Sequence, residues 1–149
     1  MSRRRSADPI TSAITMAGTG LLGIGKWLWR GITGGKRKSG LNKIALFADW
    51  QQIQSLADSA DQIRLAQAVQ QADRFVDHVM RQVGGRGASF ADRLRSLEQR
   101  FDQNTYQGLW DAHKLRNTLA HQHGANVSAT EASRAINQFR AAARTLGAF

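Results

Sequence analysis

Apolar residues recur at steps of three and four from residue 41 to residue 149, the spacing of helices with one buried face rather than the alternation of strands. The chain's only proline, Pro9, lies outside this stretch, so nothing within it obliges a helix to break. The pattern predicts an all-α domain over residues 41–149, a bundle of four to five helices. A first helix through SGLNKIALFADWQQIQSLADS carries Leu41, Ile44, Ala45, Ala48, Ile53 and Leu56 along one side. A second begins after Asp58 or Asp61, buries Ala66, Val69, Ala72, Val76, Val79 and Val83, and stops at Gly84 and Gly85. SFADRL reads as a capping box, Ser89 with Asp92 three positions on, ahead of the stripe Phe90, Leu94, Leu97 and Phe101. The fourth helix runs from near Asn104 to about Gly124. The fifth is announced by VSATE, with Val127 as staple, Ser128 as cap and Glu131 closing the box, and it buries Ala132, Ala135, Ile136, Phe139, Ala143 and Leu146. Short connections make neighbours antiparallel, which predicts an up-and-down arrangement.

The first forty residues follow a different pattern. Residues 1–8 form a basic tail, residues 9–30 an apolar segment, and residues 31–40 a linker rich in Gly and Lys. No residue from Pro9 to Gly25 is charged, and adding Lys26, Trp27, Leu28 and Trp29 extends the segment to 21 residues, close to the ~20 a helix needs to cross hydrocarbon. Trp27 and Trp29 suit the headgroup level, while Lys26 and Arg30 can snorkel to it, so these four are the expected membrane anchor. Gly18, Gly20, Gly23 and Gly25 dilute the apolar content, leaving a spanning or re-entrant helix, a segment lying on the surface and a basic tail as readings. If the segment spans, three Lys/Arg before it and six after it place the helical domain in the cytoplasm. Small residues of a signal-peptide cleavage site are replaced by Lys26 and the tryptophans. GLLGIGKW spells the start of a phosphate-binding loop, but Trp27 stands where that loop needs Ser or Thr, and no strand precedes it.

Charge is divided as unevenly as hydropathy. Nine Lys/Arg up to Lys43 face one acid, Asp8, giving +8, whereas twelve face ten from Ile44 onward, giving +2. The basic character therefore belongs to the arm, where it suits an anionic membrane surface at least as well as a nucleic acid. With no cysteine in the chain, disulfides, thiolate metal sites and cysteine nucleophiles are excluded.

The fourth helix contains HKLRNTLAHQHG, which holds three of the chain's four histidines. At ~100° per residue, Ala112, Leu115 and Leu119 form a core stripe. Tyr106, Trp110, His113, Asn117 and His121 form a second face, with Leu109, Arg116 and Ala120 between the two. Aromatics, histidines and an amide are unusual for a plain solvated surface and point to a buried layer, a dimer seam or a cleft. Asn117 is placed four residues before His121 and is expected to orient it. Arg116 borders the face, placed to reach an anion. His78, on the second helix, reads as structural or exposed.

RNTLAH resembles the R-x4–6-H signature of the HEPN (higher eukaryote and prokaryote nucleotide-binding) superfamily, in which Asn, Asp or His commonly follows the arginine. The resemblance covers residues 41–149 and implies a helical bundle with the signature on a late helix. In active members it implies metal-independent RNA cleavage, with Arg and His from two subunits meeting at a symmetric dimer seam. It assigns Arg116 as the phosphate and transition-state clamp, His121 as general acid or base and Asn117 as orienter. His123 satisfies the same signature at the longer spacing. His113 and Lys114 are secondary substrate contacts, and Tyr106 and Trp110 are candidates for stacking a base or for packing. The residue types suit the chemistry, since imidazole moves protons near neutral pH and guanidinium offers a fixed fork to phosphoryl oxygens. No cofactor is called for, and no carboxylate cluster reads as a metal site. Nuclease toxins of this family often pair with a nucleotidyltransferase antitoxin. Two competing readings are a non-catalytic, membrane-tethered helical module that binds a partner or itself, and a nucleic-acid binder acting through the basic arm.

Overall fold

The computed structural model describes residues 40–122 and 124–149, and the described chain is all-helical. Five α-helices follow one another: α1 Lys43–Ala57, α2 Gln62–Gln82, α3 Phe90–Ser96, α4 Gln103–His121 and α5 Ala129–Thr145, with a single 3-10 turn Glu98–Arg100 between α3 and α4. Among the described residues no helix is long and apolar enough to cross a membrane. The anchor residues Lys26, Trp27, Trp29 and Arg30, with the rest of residues 9–30, lie outside the described residues, as does His123.

Every helix starts on a side-chain cap, which answers why the chain turns helical at those points. Asn42, Asp61, Ser89, Asp102 and Ser128 accept from backbone N–H groups of the first turns of α1 to α5 respectively. Both expected capping boxes form, Ser89 with Asp92 and Ser128 with Glu131. Asp61, not Asp58, begins the second helix. The fourth begins at Gln103, because Asp102 accepts from Thr105 N–H at 2.9 Å, and it ends at His121, short of Gly124.

Three observations give the directions of the helices. Asp49 and Ile53 of α1 share a groove with Phe75 and His78 of α2, whereas Leu56 shares one with Gln71, so α1 and α2 run antiparallel. Ile63 at the start of α2 lies beside Ala125 and Asn126 just before α5, and Phe75 near its end meets Phe149 just after α5, so those two run parallel. Gly108 of α4 faces Gln138 of α5 while Leu115 shares a groove with Glu131, so α4 runs against α5. The helix α2 is the shared wall of the bundle, packed by all the others.

Burial follows the predicted stripes in α2, α3 and α5, and corrects them in α1 and α4. Leu46, Trp50 and Ile53 are the buried residues of α1, while Ile44, Ala45 and Ala48 are exposed. The helix has apolar residues on two faces, so periodicity alone does not tell which face meets α2. In α4, Leu109 and Ala112 are fully in the core and Leu115 and Leu119 only half-buried; Gly108, next to Leu109, faces the Gln138 side chain of α5. An aromatic group closes one part of the core: Trp50 contacts Phe75 and Phe149 edge-on, at 5.3 and 5.6 Å between ring centres, and Phe75 stacks on Phe149 at 5.8 Å.

Candidate functional site

Two carboxylates one turn apart on α2, Asp73 and Asp77, interrupt the apolar edge of that helix. Asp73 is only 4% exposed, and a buried carboxylate requires cationic or hydrogen-bonding partners. Both find them on the elements that follow. Asp77 accepts from Arg93 Nε at 2.7 Å and pairs with Arg81 one turn on, while Arg93 Nη1 donates to the Gly87 carbonyl at 2.7 Å. That interaction seats the short helix α3 on α2. The α3 capping box adds Asp92, whose carboxyl is held below the ordinary carboxylate range chiefly by the Ser89 hydroxyl and then by the Ser89 backbone N–H.

With α3 in place, Asp73 meets α4. Its Oδ1 lies 2.6 Å from His113 Nδ1, and its Oδ2 lies 3.4 Å from Arg116 Nε. Arg116 Nη1 donates to Asn117 Oδ1 at 2.9 Å, and Asn117 Nδ2 lies 3.2 Å from His113 Nε2. These contacts fix the protons by elimination. Arginine only donates, so Asn117 turns its carbonyl to Arg116 and its NH2 to the ring. His113 Nε2 must then accept, which leaves the ring proton on Nδ1, donated to Asp73. Phe90 covers one face of the imidazole, with ring centres 4.0 Å apart and planes within 3°. Both nitrogens of His113 are engaged and one face is covered, so this ring positions its neighbours.

Arg116 is held differently. Its Nε is buried and makes no hydrogen bond among the described residues, so its contact with Asp73 is one of charge, and only Nη1 is committed. The guanidinium stands at the edge of a cleft of about 460 Å³ that Arg74, Arg93, Ser89 and Asn117 also line. Four arginines around this cleft, Arg74, Arg81, Arg93 and Arg116, outnumber its two α2 carboxylates, which leaves a cationic excess suited to a phosphate or another anion.

The remaining candidates on α4 stand apart from this cleft. His121 is exposed at the last position of the helix, and the expected Asn117–His121 contact is replaced by Asn117–His113, one turn in the other direction. Lys114 lies 3.4 Å from Asp111 on the exposed side. Tyr106 and Trp110 are half-buried, edge-on to each other at 6.3 Å, with the Arg95 guanidinium 5.3 Å from the Trp110 ring centre. Their place is a cation–π and packing cluster on the α3 side. His78 is exposed and pairs with Gln82 at 2.7 Å. The sequence reading missed Asp73, Asp77 and Arg93; the available signal was a pair of carboxylates at helical spacing against an otherwise apolar stripe.

Among the described residues no three His, Cys, Asp or Glu side chains converge as a metal-ligand set. No protein-family model, no curated protein and no solved structure matches this chain.

Proposed function

We propose that this chain is a HEPN-like, membrane-associated protein that cleaves RNA without a metal ion, with Arg116 and His121 as its working residues. The observation that carries the reading is the hold on Arg116: buried Asp73 and half-buried Asn117 present its guanidinium at a cationic cleft, while His121 stands exposed at the end of the same helix. One copy does not bring the two groups into a single site. A site shared across a symmetric seam along α4 does not require it to, since Arg116 of one copy is then completed by the partner's exposed imidazole.

In this reading a phosphodiester lies in the cleft with its oxygens on Arg116. His121 takes the proton of the ribose 2′-hydroxyl as the 2′-oxygen attacks phosphorus, or returns a proton to the departing 5′-oxygen. The products are a 2′,3′-cyclic phosphate and a 5′-hydroxyl. Asn117 and His113 set the guanidinium, and residues 9–30 hold the protein at the membrane with the bundle in the cytoplasm. A nucleotidyltransferase partner is compatible with this reading and is tested by co-purification.

The test is incubation of the full-length chain in mild detergent with RNA in the presence of EDTA. Cleavage leaving cyclic phosphate ends, falling by roughly 10²- to 10⁴-fold in Arg116→Ala and in His121→Ala at unchanged helicity, is the expected result. A second reading has its own observation. Asp73, His113, Asn117 and Arg116 largely satisfy one another, as they would in a module that only binds. A folded wild type that does not cleave, and whose oligomeric state changes on His121→Ala, establishes that reading instead.

A further inference from the structure

The outward face of α1 carries apolar side chains that nothing in the bundle covers. Ile44 is 86% exposed and Phe47 54%, and Ala48 and Gln51 continue the same line at steps of three and four. On helical geometry this line falls roughly 140° from the buried stripe Leu46, Trp50 and Ile53. No charge lies on it: the one acid of α1, Asp49, is on the opposite flank, where it joins Arg74 and His78 in the α1–α2 groove. The first turn of the helix contains no acid and starts with exposed Lys43. The sequence leading into it reads KRKSGLNK over residues 36–43, so Lys36, Arg37, Lys38 and Lys43 lie within eight positions of Ile44.

We propose that this face of α1 lies on an anionic lipid surface, with Ile44 and Phe47 entering the boundary between headgroups and acyl chains and Lys43 facing the headgroups. The inference rests on the reading of residues 9–30 as membrane-associated and goes beyond it, because it fixes which face of the helical domain the membrane meets. Two features select lipid over other occupants. Interfacial helices combine a short apolar ridge with flanking cations, and Ile, Phe and Lys are the residue types that do this. A lasting protein interface buries about 800 Å² per partner, far more than two side chains and an alanine provide, whereas a lipid surface needs only a few inserted groups.

The chain has no cysteine, so a single one can be introduced and labelled. Full-length Phe47→Cys and Thr130→Cys variants would carry an environment-sensitive fluorophore and be mixed with phosphatidylcholine–phosphatidylglycerol vesicles, with flotation reporting binding of the chain. Thr130 is exposed at the start of α5, which lies beside Ile63 and so at the far end of α1 from Phe47. The expected result is flotation with a blue shift at position 47, quenching there by nitroxide-bearing lipid, and neither effect at position 130. Flotation with the label at 47 still in water overturns this proposal and leaves the membrane reading standing. Failure to float overturns both. A blue shift without vesicles that grows with protein concentration shows a second copy on this face and also overturns the proposal.

Discussion

Replacing Asp73 by alanine leaves the Nδ1–H of His113 and the buried Nε of Arg116 without their carboxylate. Removing one member of a buried charged network strands the others, so Asp73→Ala is expected to cost about 3 kcal/mol, read as a lower urea midpoint. Asp73→Asn keeps an acceptor for His113 and loses the charge that faces Arg116, so its cost is smaller, about 1–2 kcal/mol. A second residue matters through its backbone. Gly87 sits at φ 116°, where an added Cβ would overlap Asp92, and its carbonyl is the acceptor for Arg93. Gly87→Ala is expected to cost more than about 1 kcal/mol and to loosen α3, seen as faster amide exchange in Phe90–Ser96. The α4 candidates were legible because their types and spacing stand out on one helix. Asp73 was not, because its partners lie forty and more positions away and only packing brings them together.

In three of the five helices the N-terminal cap lowers the titration of its own carboxylate. Asp92, Asp102 and Glu131 are each held below the ordinary carboxylate range, first by the side-chain hydroxyls of Ser89, Thr105 and Ser128 and then by backbone N–H groups. A depressed folded value contributes stability that is present above the unfolded value and lost as pH falls through the folded one. The stability contributed by these three caps is therefore expected to hold down to the ordinary carboxylate range and to be lost below it, seen as α3, α4 and α5 fraying at their N-termini in amide exchange as the pH is lowered. Ser128→Ala removes one hydroxyl cap at every pH and is expected to cost about 1 kcal/mol, while shrinking the acid-dependent part of the α5 fraying. The starts of α3 and α5 could be read directly, since a cap and its box are local in sequence, whereas the Asp102 cap of α4, which has no box, was not. The phase of α1 could not, since its inward and outward faces are both apolar and α2 selects Trp50 over Ile44.

Trp50 links α1, α2 and the residues beyond α5 through Phe75 and Phe149, and it is 1% exposed. Trp50→Ala is expected to cost about 3–5 kcal/mol, because a cavity in this position touches three segments that cannot all collapse into it. Trp50→Phe should cost distinctly less. The indole Nε1 is buried with no acceptor among the described residues, and the substitution removes that unsatisfied donor along with part of the ring. Denaturant unfolding of the two variants side by side checks the ordering. The same bundle geometry carries the candidate site, for α2 supplies Asp73 and Asp77, α3 supplies Phe90 and Arg93, and α4 supplies His113, Arg116 and Asn117.

Local rules of the chain settled the helical class, the capping boxes that start α3 and α5 and most of the buried stripes of α2, α3 and α5, because capping and amphipathic spacing act within a few residues. The same rules marked Arg116 and Asn117 as more than surface. What they left open were choices made between helices: which face of α1 turns inward, which carboxylate holds the arginine, and whether Asn117 reaches back to His113 or on to His121. Each depends on a partner far away in sequence, and a buried charge takes whichever partner packing places within hydrogen-bond reach.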